Sequence, residues 1–132
     1  KLPLVASLIV ATPQTIACQD AERAIMMFKK LHTPILGLLE NFSLWTCPHC
    51  EQNSQPFGPS QLSALAQKQN LNILGKLIFE TALNQAGNSG QPLALEQSQN
   101  PWEAIALTMT QHLATLPRSI SHSLNKIPVA TT

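Results

Sequence analysis

Charged side chains are scarce in this 132-residue sequence: Asp, Glu, Lys and Arg make up 11% of it, well under the usual quarter. The formal net charge is +1, and the basic residues form no cluster beyond Lys29 and Lys30. A domain that binds nucleic acid or anionic lipid needs a basic patch, so both classes are disfavoured. We therefore expect no nucleic-acid partner.

Long apolar runs are also missing. The most apolar opening segment, residues 2–11, is far shorter than the ~20 residues of a membrane-spanning helix, and it contains Pro3 and Ser7. It lacks the long apolar region and small-residue cleavage site of a secretory signal. Three cysteines is a low, odd count, which argues against a secreted disulfide scaffold and for a reducing compartment. We expect a cytoplasmic protein with no membrane partner.

Sequence signatures of catalysis are missing as well. No phosphate-binding G-x-x-x-x-G-K-[ST] motif occurs, and no Ser-His-Asp or paired-carboxylate arrangement can be argued from the spacing. The chain opens with Lys1 and not with Met, which favours a fragment or a processed product. The hydrophobic fraction of 44% nevertheless predicts a folded domain with a core.

The apolar residues follow the periodicities of an α/β domain. Three short apolar runs, residues 5–11, 35–39 and more weakly 72–77, are typical of buried strands. Between the first two, an apolar stripe at spacings of three and four predicts a helix capped by Thr12 and ending before Pro34. A strand–helix–strand succession of this length is a βαβ unit, so we predict a mostly parallel sheet with flanking helices.

Three further helices are predicted in the second half of the chain. They lie at residues 60–70 with Ser60 as cap, at 80–86 closed by a turn at 87–90, and at 100–116 with Trp102 and Met109 in the core. Residues 1–117 are therefore expected to form the domain. The Ser- and Thr-rich residues 118–132 are expected to form a mobile tail.

Cys47 and Cys50 are the candidate metal ligands. Two thiolates at this spacing converge on one metal ion or cluster, because the turn between them points both sulfurs the same way. They lie in a stretch, residues 42–59, that is predicted to be irregular and that follows the carboxyl end of the second strand. Parallel sheets bind ligands at this edge, which strengthens the assignment.

One C-x-x-C motif supplies only two of the four ligands that a zinc ion or a cubane cluster requires. Cys18 is expected to be a buried apolar residue of the first helix. Either histidines complete the site or two chains each donate a pair, and we favour two chains because no histidine has zinc-finger spacing to the cysteines. A thioredoxin-like redox pair is less favoured, since such a pair opens a helix directly after a strand.

The order of several short segments is more specific than any one motif. They are Val10-Ala-Thr-Pro-Gln14, Asp20-Ala21, Met27-Phe28-Lys29-Lys30, Pro34-Ile-Leu-Gly-Leu-Leu-Glu-Asn-Phe-Ser43, Cys47-Pro-His-Cys50, Phe57-Gly58, Leu74-Gly75 and Ser89-Gly90-Gln91-Pro92. Their succession, over roughly residues 4–116, resembles the Mrp/ApbC iron–sulfur cluster carriers. These are P-loop ATPases of the deviant-Walker group, related to MinD and ParA.

The resemblance implies a function and a site. Members of this family dimerise, and each subunit contributes two cysteines, matching Cys47 and Cys50, to a bridging [4Fe–4S] cluster that is passed to apo-proteins. The residue matching Asn41 lies near the adenine of bound ATP in related NTPases. Phe42 stands where Met is usual in the family.

The resemblance also implies that part of the family's domain has no counterpart here. The family's P-loop and acidic metal-binding segments lie upstream of the region that Lys1 matches, so the chain resembles the C-terminal half of a carrier. ATP and Mg²⁺ would be bound by the full-length parent, and this chain alone should not hydrolyse ATP. Besides Phe42, the chain departs from the family pattern at residues 59–61, at residues 77–80 and at Thr15.

Two other functions remain open from the sequence. In the first, two chains clamp one Zn²⁺ through four thiolates, and the metal only holds the dimer together. In the second, the chain is part of a MinD/ParA-like partitioning ATPase. That protein would need an amphipathic membrane-targeting helix or a basic DNA-binding patch, and the sequence shows neither.

Overall fold

The structure is a computed structural model and describes residues 4–91 and 101–116. Strands and helices alternate along most of this part of the chain. In order they are β1 (Ser7–Ala11), α1 (Thr15–Lys30), β2 (Ile35–Glu40), β3 (Trp45–Thr46), β4 (Asn53–Ser54), α2 (Leu62–Gln69), β5 (Ile73–Lys76), α3 (Thr81–Ser89) and α4 (Pro101–Thr115).

Three strands form a parallel sheet in the order β1-β2-β5. The central strand β2 is buried from Leu36 through Glu40, which explains its nearly continuous apolar sequence. At the carboxyl edge, Ala11 pairs with Glu40 and Glu40 pairs with Lys76. The predicted α/β class, the parallel sheet and the βαβ unit are confirmed.

Helices cover both faces of this sheet. On one face α1 and α2 pack around Ile25, Leu38 and Leu62, all of which are fully buried. On the other face Ile105 of α4 clusters with Leu39 of β2 and with Leu77, which follows β5. Burying one aliphatic side chain of this size stabilises the fold by ~1.5–3 kcal/mol, so the two clusters fix the strands relative to the helices.

The last helix covers its face only in part. Ile105 is buried, and Trp102 and Met109 pack beside it as partly buried residues. Leu113, which the sequence places on the same stripe, is 41% exposed, and Leu107 is 60% exposed. The apolar face of α4 therefore packs on the sheet only along the first half of the helix.

The start of α1 differs from the sequence prediction. The helix begins at Thr15 with Gln14 as its extended N-cap, so the prediction that Thr12 caps the helix is wrong. The Thr12 hydroxyl donates instead to the side-chain oxygen of Gln14 at 3.0 Å. The preceding residue, Pro13, is buried, and its carbonyl accepts the Gln61 amide at 3.2 Å. This contact holds the segment as a turn.

The ends of the later helices also differ in detail. The N-cap of α2 is Gln61, so the predicted cap, Ser60, lies one residue too early, although its oxygen accepts the amide of Leu62 at 3.1 Å. The turn predicted at 87–90 is wrong, because α3 continues to Ser89 and ends at Gly90 in the left-handed conformation (φ 71°). The predicted helix start at Asn100 and the predicted tail at 118–132 lie outside the described residues.

Residues 42–59 are not irregular as predicted, because they contain a short hairpin. Its strands β3 and β4 pair antiparallel, with Trp45 opposite Ser54 and Thr46 opposite Asn53. None of the helices in residues 4–91 and 101–116 has the length and apolar character needed to cross a membrane.

Candidate metal centre

The hairpin is rooted at the carboxyl edge of the parallel sheet. The amide and the hydroxyl of Ser43 both donate to the carbonyl of Leu77, at 2.8 and 3.0 Å. The amide of Phe79 donates to the carbonyl of Leu44 at 2.7 Å. These bonds tie the chain entering the hairpin to the segment that follows β5. Ligands bind at this edge in parallel α/β sheets, so the cysteines occupy the expected side of the fold.

The chain reverses direction at the C-x-x-C motif. The amide of Cys47 donates to the carbonyl of Gln52 at 3.0 Å, which extends the β3–β4 ladder by one step. The amide of Glu51 then donates to the carbonyl of Cys47 at 2.9 Å, and Glu51 has a positive φ of 57°. Cys47-Pro48-His49-Cys50 therefore forms the tip of the hairpin. The motif does not open a helix, which removes the dipole that activates a thioredoxin-like pair.

The tip presents both sulfurs and favours the thiolate form of one of them. Cys50 is exposed and Cys47 is partly exposed. The backbone amides of His49 and Cys50, and then the Cys50 thiol, hydrogen-bond to the Cys47 sulfur and lower the pKa of the Cys47 thiol. Metals and clusters bind thiolates, so this donor pair fits a thiophilic metal or an iron–sulfur cluster.

One chain supplies an incomplete ligand set in the part that the structure describes. No group of three or more His, Cys, Asp or Glu residues there could hold a metal ion. His49 is exposed at the tip between the two cysteines. Cys18 is buried on α1 within the core cluster, as predicted, and burial followed by the charge of Glu40 raises the pKa of its thiol. Cys47 and Cys50 remain the candidate ligands.

A buried carboxylate at the base of the hairpin is not among the residues predicted from the sequence. Glu40 ends β2 with only 2% of its surface exposed, and it accepts a hydrogen bond from the hydroxyl of Ser60. The ammonium group of Lys76 lies 3.7 Å from its other carboxylate oxygen. The contact between Glu40 and Ser60 closes the loop that carries both cysteines. The sequence does contain a signal for this site, because an acidic residue ends a strand that is otherwise apolar.

Asn41, the candidate adenine-side residue, is half-buried at the same edge. Its amide donates to the carbonyl of Ala11 at 2.8 Å, and its side-chain oxygen accepts the amide of Phe42 at 3.1 Å. The second bond accompanies the positive φ of Phe42, 58°. Asn41 also lines an open groove with Thr12 and the residues of β1. Its role towards a nucleotide stays a prediction.

Aromatic side chains surround the base of the hairpin. The ring of Phe42 lies 5.1 Å from that of Phe79 in an edge-on arrangement and 6.4 Å from that of Phe57, measured between centroids. Trp45 lies on β3 and Phe57 lies in the turn that follows β4, and both line a small cavity with Phe79 and Pro56. Sequence reasoning missed this cluster because its members are far apart in the chain and follow no helix or strand period.

Comparison with known proteins identifies the family. The family model of ParA-like NUBPL iron-transfer P-loop NTPases matches residues 1–114. The chain is 38% identical over 101 residues to an iron–sulfur cluster transfer protein NUBPL of Dictyostelium discoideum, which covers 76% of this chain and 31% of that protein. It is 36% identical over 113 residues to an iron–sulfur cluster carrier protein of Helicobacter pylori, which covers 86% of this chain and 31% of that protein.

A solved structure gives the same result for the fold. A nucleotide-binding protein from Archaeoglobus fulgidus in complex with ADP superposes with a TM-score of 0.59 at 27% identity, over 74% of this chain and 39% of that one. The P-loop NTPase fold predicted from the sequence is thus confirmed. The chain spans about a third of the length of the curated relatives it matches. On the match over residues 1–114, this chain belongs to the NUBPL/Mrp family of ParA-like iron–sulfur cluster carriers.

Proposed function

We propose that this chain carries an iron–sulfur cluster as cargo, held between two copies through Cys47 and Cys50 and delivered to apo-proteins. The observation that carries the proposal is the hairpin tip, where the partly exposed Cys47 and the exposed Cys50 lie together and backbone amides favour the Cys47 thiolate. Two copies supply four thiolates, the number that a [4Fe–4S] cluster requires. The names of the family relatives support iron–sulfur clusters as the cargo.

Exposure of the tip suits delivery better than storage. An acceptor thiolate can approach Cys50, bond to the iron in its place and leave Cys50 to take up the proton that the acceptor thiol has lost. A buried, fully enclosed cluster would resist such exchange, because ligand exchange depends on access. The exchange changes neither the number of electrons nor the oxidation state of the cluster.

In the complete relatives the same domain would bind ATP, and Asn41 would lie on the adenine side. The sequence of this chain contains no Walker A motif, so we expect no ATP hydrolysis by the chain alone. Glu40 and Lys76 lie at the same sheet edge, which supports a nucleotide-responsive region beside the hairpin.

Cysteine variants test the proposal. Cys47→Ala and Cys50→Ala should each abolish cluster uptake after anaerobic reconstitution, measured as iron and acid-labile sulfide per chain. Cys18→Ala is the matched control and should retain uptake, because Cys18 is buried in the core. Full cluster content in either of the first two variants would overturn the proposal.

The same donor set also fits a structural zinc ion shared by two chains. Metal analysis of protein purified without air separates the two functions. Stoichiometric zinc that iron and sulfide cannot displace would support the structural site, whereas displacement by a cluster supports the carrier.

A further inference from the structure

The two faces of the β3–β4 hairpin differ in character. Side chains alternate between the faces of a strand, and the hydrogen bond from Cys47 to Gln52 continues the ladder beyond Thr46. Trp45 and Cys47 therefore lie on one face. Thr46 lies on the other, where its hydroxyl donates to the side chain of Asn53 at 2.8 Å. One face of the ribbon is polar, and the other carries an aromatic residue next to the candidate ligand.

The hairpin face that carries Cys47 and Trp45 is continuous with an exposed aromatic patch. Trp45, Phe57 and Phe79 line an apolar cavity of about 180 Å³ together with Pro56. Phe57 is 39% exposed and Phe79 is 42% exposed, which is high for large aromatic side chains. Phe42 contacts both rings from within the chain and holds them in place.

The incomplete ligand set indicates what covers this patch. Cys47 and Cys50 supply two of four thiolates, and no third protein ligand joins them among residues 4–91 and 101–116. A second copy that brings the other two must approach the tip. Cys47 is two residues from Trp45, ~7 Å along an extended strand, so two tips that share one cluster bring both patches close together.

The charges of the hairpin permit contact between identical surfaces. A two-fold axis places the same patch of each copy in one interface, so any charge there faces its own equivalent. In residues 42–59 the titratable side chains other than the cysteines are His49 and Glu51, both at the tip. The three aromatic side chains of the patch are uncharged, so their rings can bury against the symmetry mate, although the exposed Glu80 follows Phe79 in the chain.

We propose that the aromatic patch formed by Trp45, Phe57 and Phe79 is the surface on which a second copy of this chain docks when the two copies share a cluster. This inference rests on the proposed function. It adds the surface that holds the dimer, so the affinity of the two copies depends on the patch as well as on the metal.

The test places a positive charge in the patch. Phe57→Lys puts two like charges into the two-fold interface, and Ser54→Lys does the same at the exposed position opposite Trp45, without replacing an aromatic ring. The Ser54 hydroxyl donates to the carbonyl of Trp45 at 3.4 Å, so the folding of this variant is checked by circular dichroism. Leu107→Lys, at a 60% exposed position on α4, is the control. Sedimentation equilibrium of the anaerobically reconstituted full chain gives the dimer dissociation constant, and iron and sulfide are measured on the same samples.

We expect both patch variants to weaken the dimer at least tenfold and to lose cluster on dilution, while Leu107→Lys matches the parent chain. A folded Ser54→Lys protein that dimerises like the parent would overturn the inference and leave the proposed function intact. If the parent takes up no iron, the proposed function fails. The oligomeric state of the reduced, metal-free chain then tests the docking surface. If the parent chain dimerises and Ser54→Lys dissociates the dimer, the result supports docking through the aromatic patch. If the parent chain stays monomeric, the inference fails.

Discussion

Two cysteines in this chain have opposite surroundings. Cys47 lies at an exposed hairpin tip, where amides of His49 and Cys50 hydrogen-bond to its sulfur, whereas Cys18 is buried on α1. Hydrogen bonds to the thiolate lower the pKa of Cys47, and burial raises the pKa of Cys18. The thiol chemistry of the chain is therefore concentrated at the tip.

This contrast predicts the order of alkylation. In the reduced, metal-free chain, Cys47 should react with iodoacetamide at a pH below the ~8.5 midpoint of a free cysteine, because its thiolate forms earlier as the pH rises. Cys18 should be alkylated last, since its thiolate is disfavoured and its sulfur is covered. Peptide mass spectrometry across a pH series measures both rates. Equal rates at Cys47 and Cys18 would contradict the geometry of the tip.

A second single-residue effect concerns Ser60, whose hydroxyl donates to buried Glu40 and whose oxygen accepts the amide of Leu62. Ser60→Ala leaves a buried carboxylate oxygen without this donor and removes the acceptor of the Leu62 amide at the start of α2, so we expect the free energy of unfolding to fall by about 1–3 kcal/mol. Urea unfolding, monitored by circular dichroism, measures this change in the free energy of unfolding.

Ser63→Ala on the same helix is the matched control. Ser63 is exposed, and alanine is the better helix former, so this change should be neutral or slightly stabilising. If both variants unfolded at the same urea concentration as the parent, the contact between Ser60 and Glu40 would not stabilise the loop that carries the hairpin.

Among the secondary-structure elements, the packing of α4 on the sheet depends on a glycine. A Cβ atom at Gly75 in β5 would lie 2.5 Å from Cγ1 of Ile105, so the helix rests directly on the strand backbone. Gly75→Ala should force Ile105 and α4 outward and destabilise the domain by about 1–3 kcal/mol. The midpoint of urea unfolding gives the change.

Gly87→Ala provides the comparison for the same substitution. Gly87 lies inside α3, and a Cβ atom there meets nothing within 4 Å. Alanine should stabilise that helix by up to ~1 kcal/mol. A Gly75→Ala protein as stable as the parent would mean that α4 does not pack on β5 as described.

The elements predictable from the sequence are those with a clear period. The apolar runs of β1 and β2 and the stripe of α1 gave the βαβ unit, because buried strands and amphipathic helices leave strong local patterns. The hairpin was missed because β3 and β4 are two residues each, too short for an alternating pattern. The start of α1 was misplaced because a tertiary hydrogen bond from Gln61 to Pro13 fixes the preceding turn.

For the whole molecule, the ligand spacing and the sheet edge were visible from the sequence, but the shape of the site was not. The spacing of Cys47 and Cys50 predicts a shared ligand, since the spacing alone places both sulfurs on one turn. The aromatic patch and the contact of Glu40 with Ser60 arise only when β2, β5 and the hairpin come together. Contacts of that kind leave no periodic signal.

In the described residues the parallel sheet has two edge strands, β1 and β5. β1 pairs with β2 alone, and Val10 on this strand is 52% exposed. An unpaired strand edge is a template for pairing with another chain, so association through β1 competes with association through the aromatic patch. A measurement of oligomeric state must therefore be coupled either to cluster content or to the Ser54→Lys variant, so that the surface that associates is known.

The central claim is that two copies share one cluster through Cys47 and Cys50. The most direct measurement is iron and acid-labile sulfide per chain after anaerobic reconstitution, with the mass of the coloured species determined in the same run. A cluster shared by two copies predicts about four irons and four sulfides for every two chains, in a species of twice the 14.4-kDa chain mass. A coloured monomer, or a colourless dimer that holds only zinc, would contradict it.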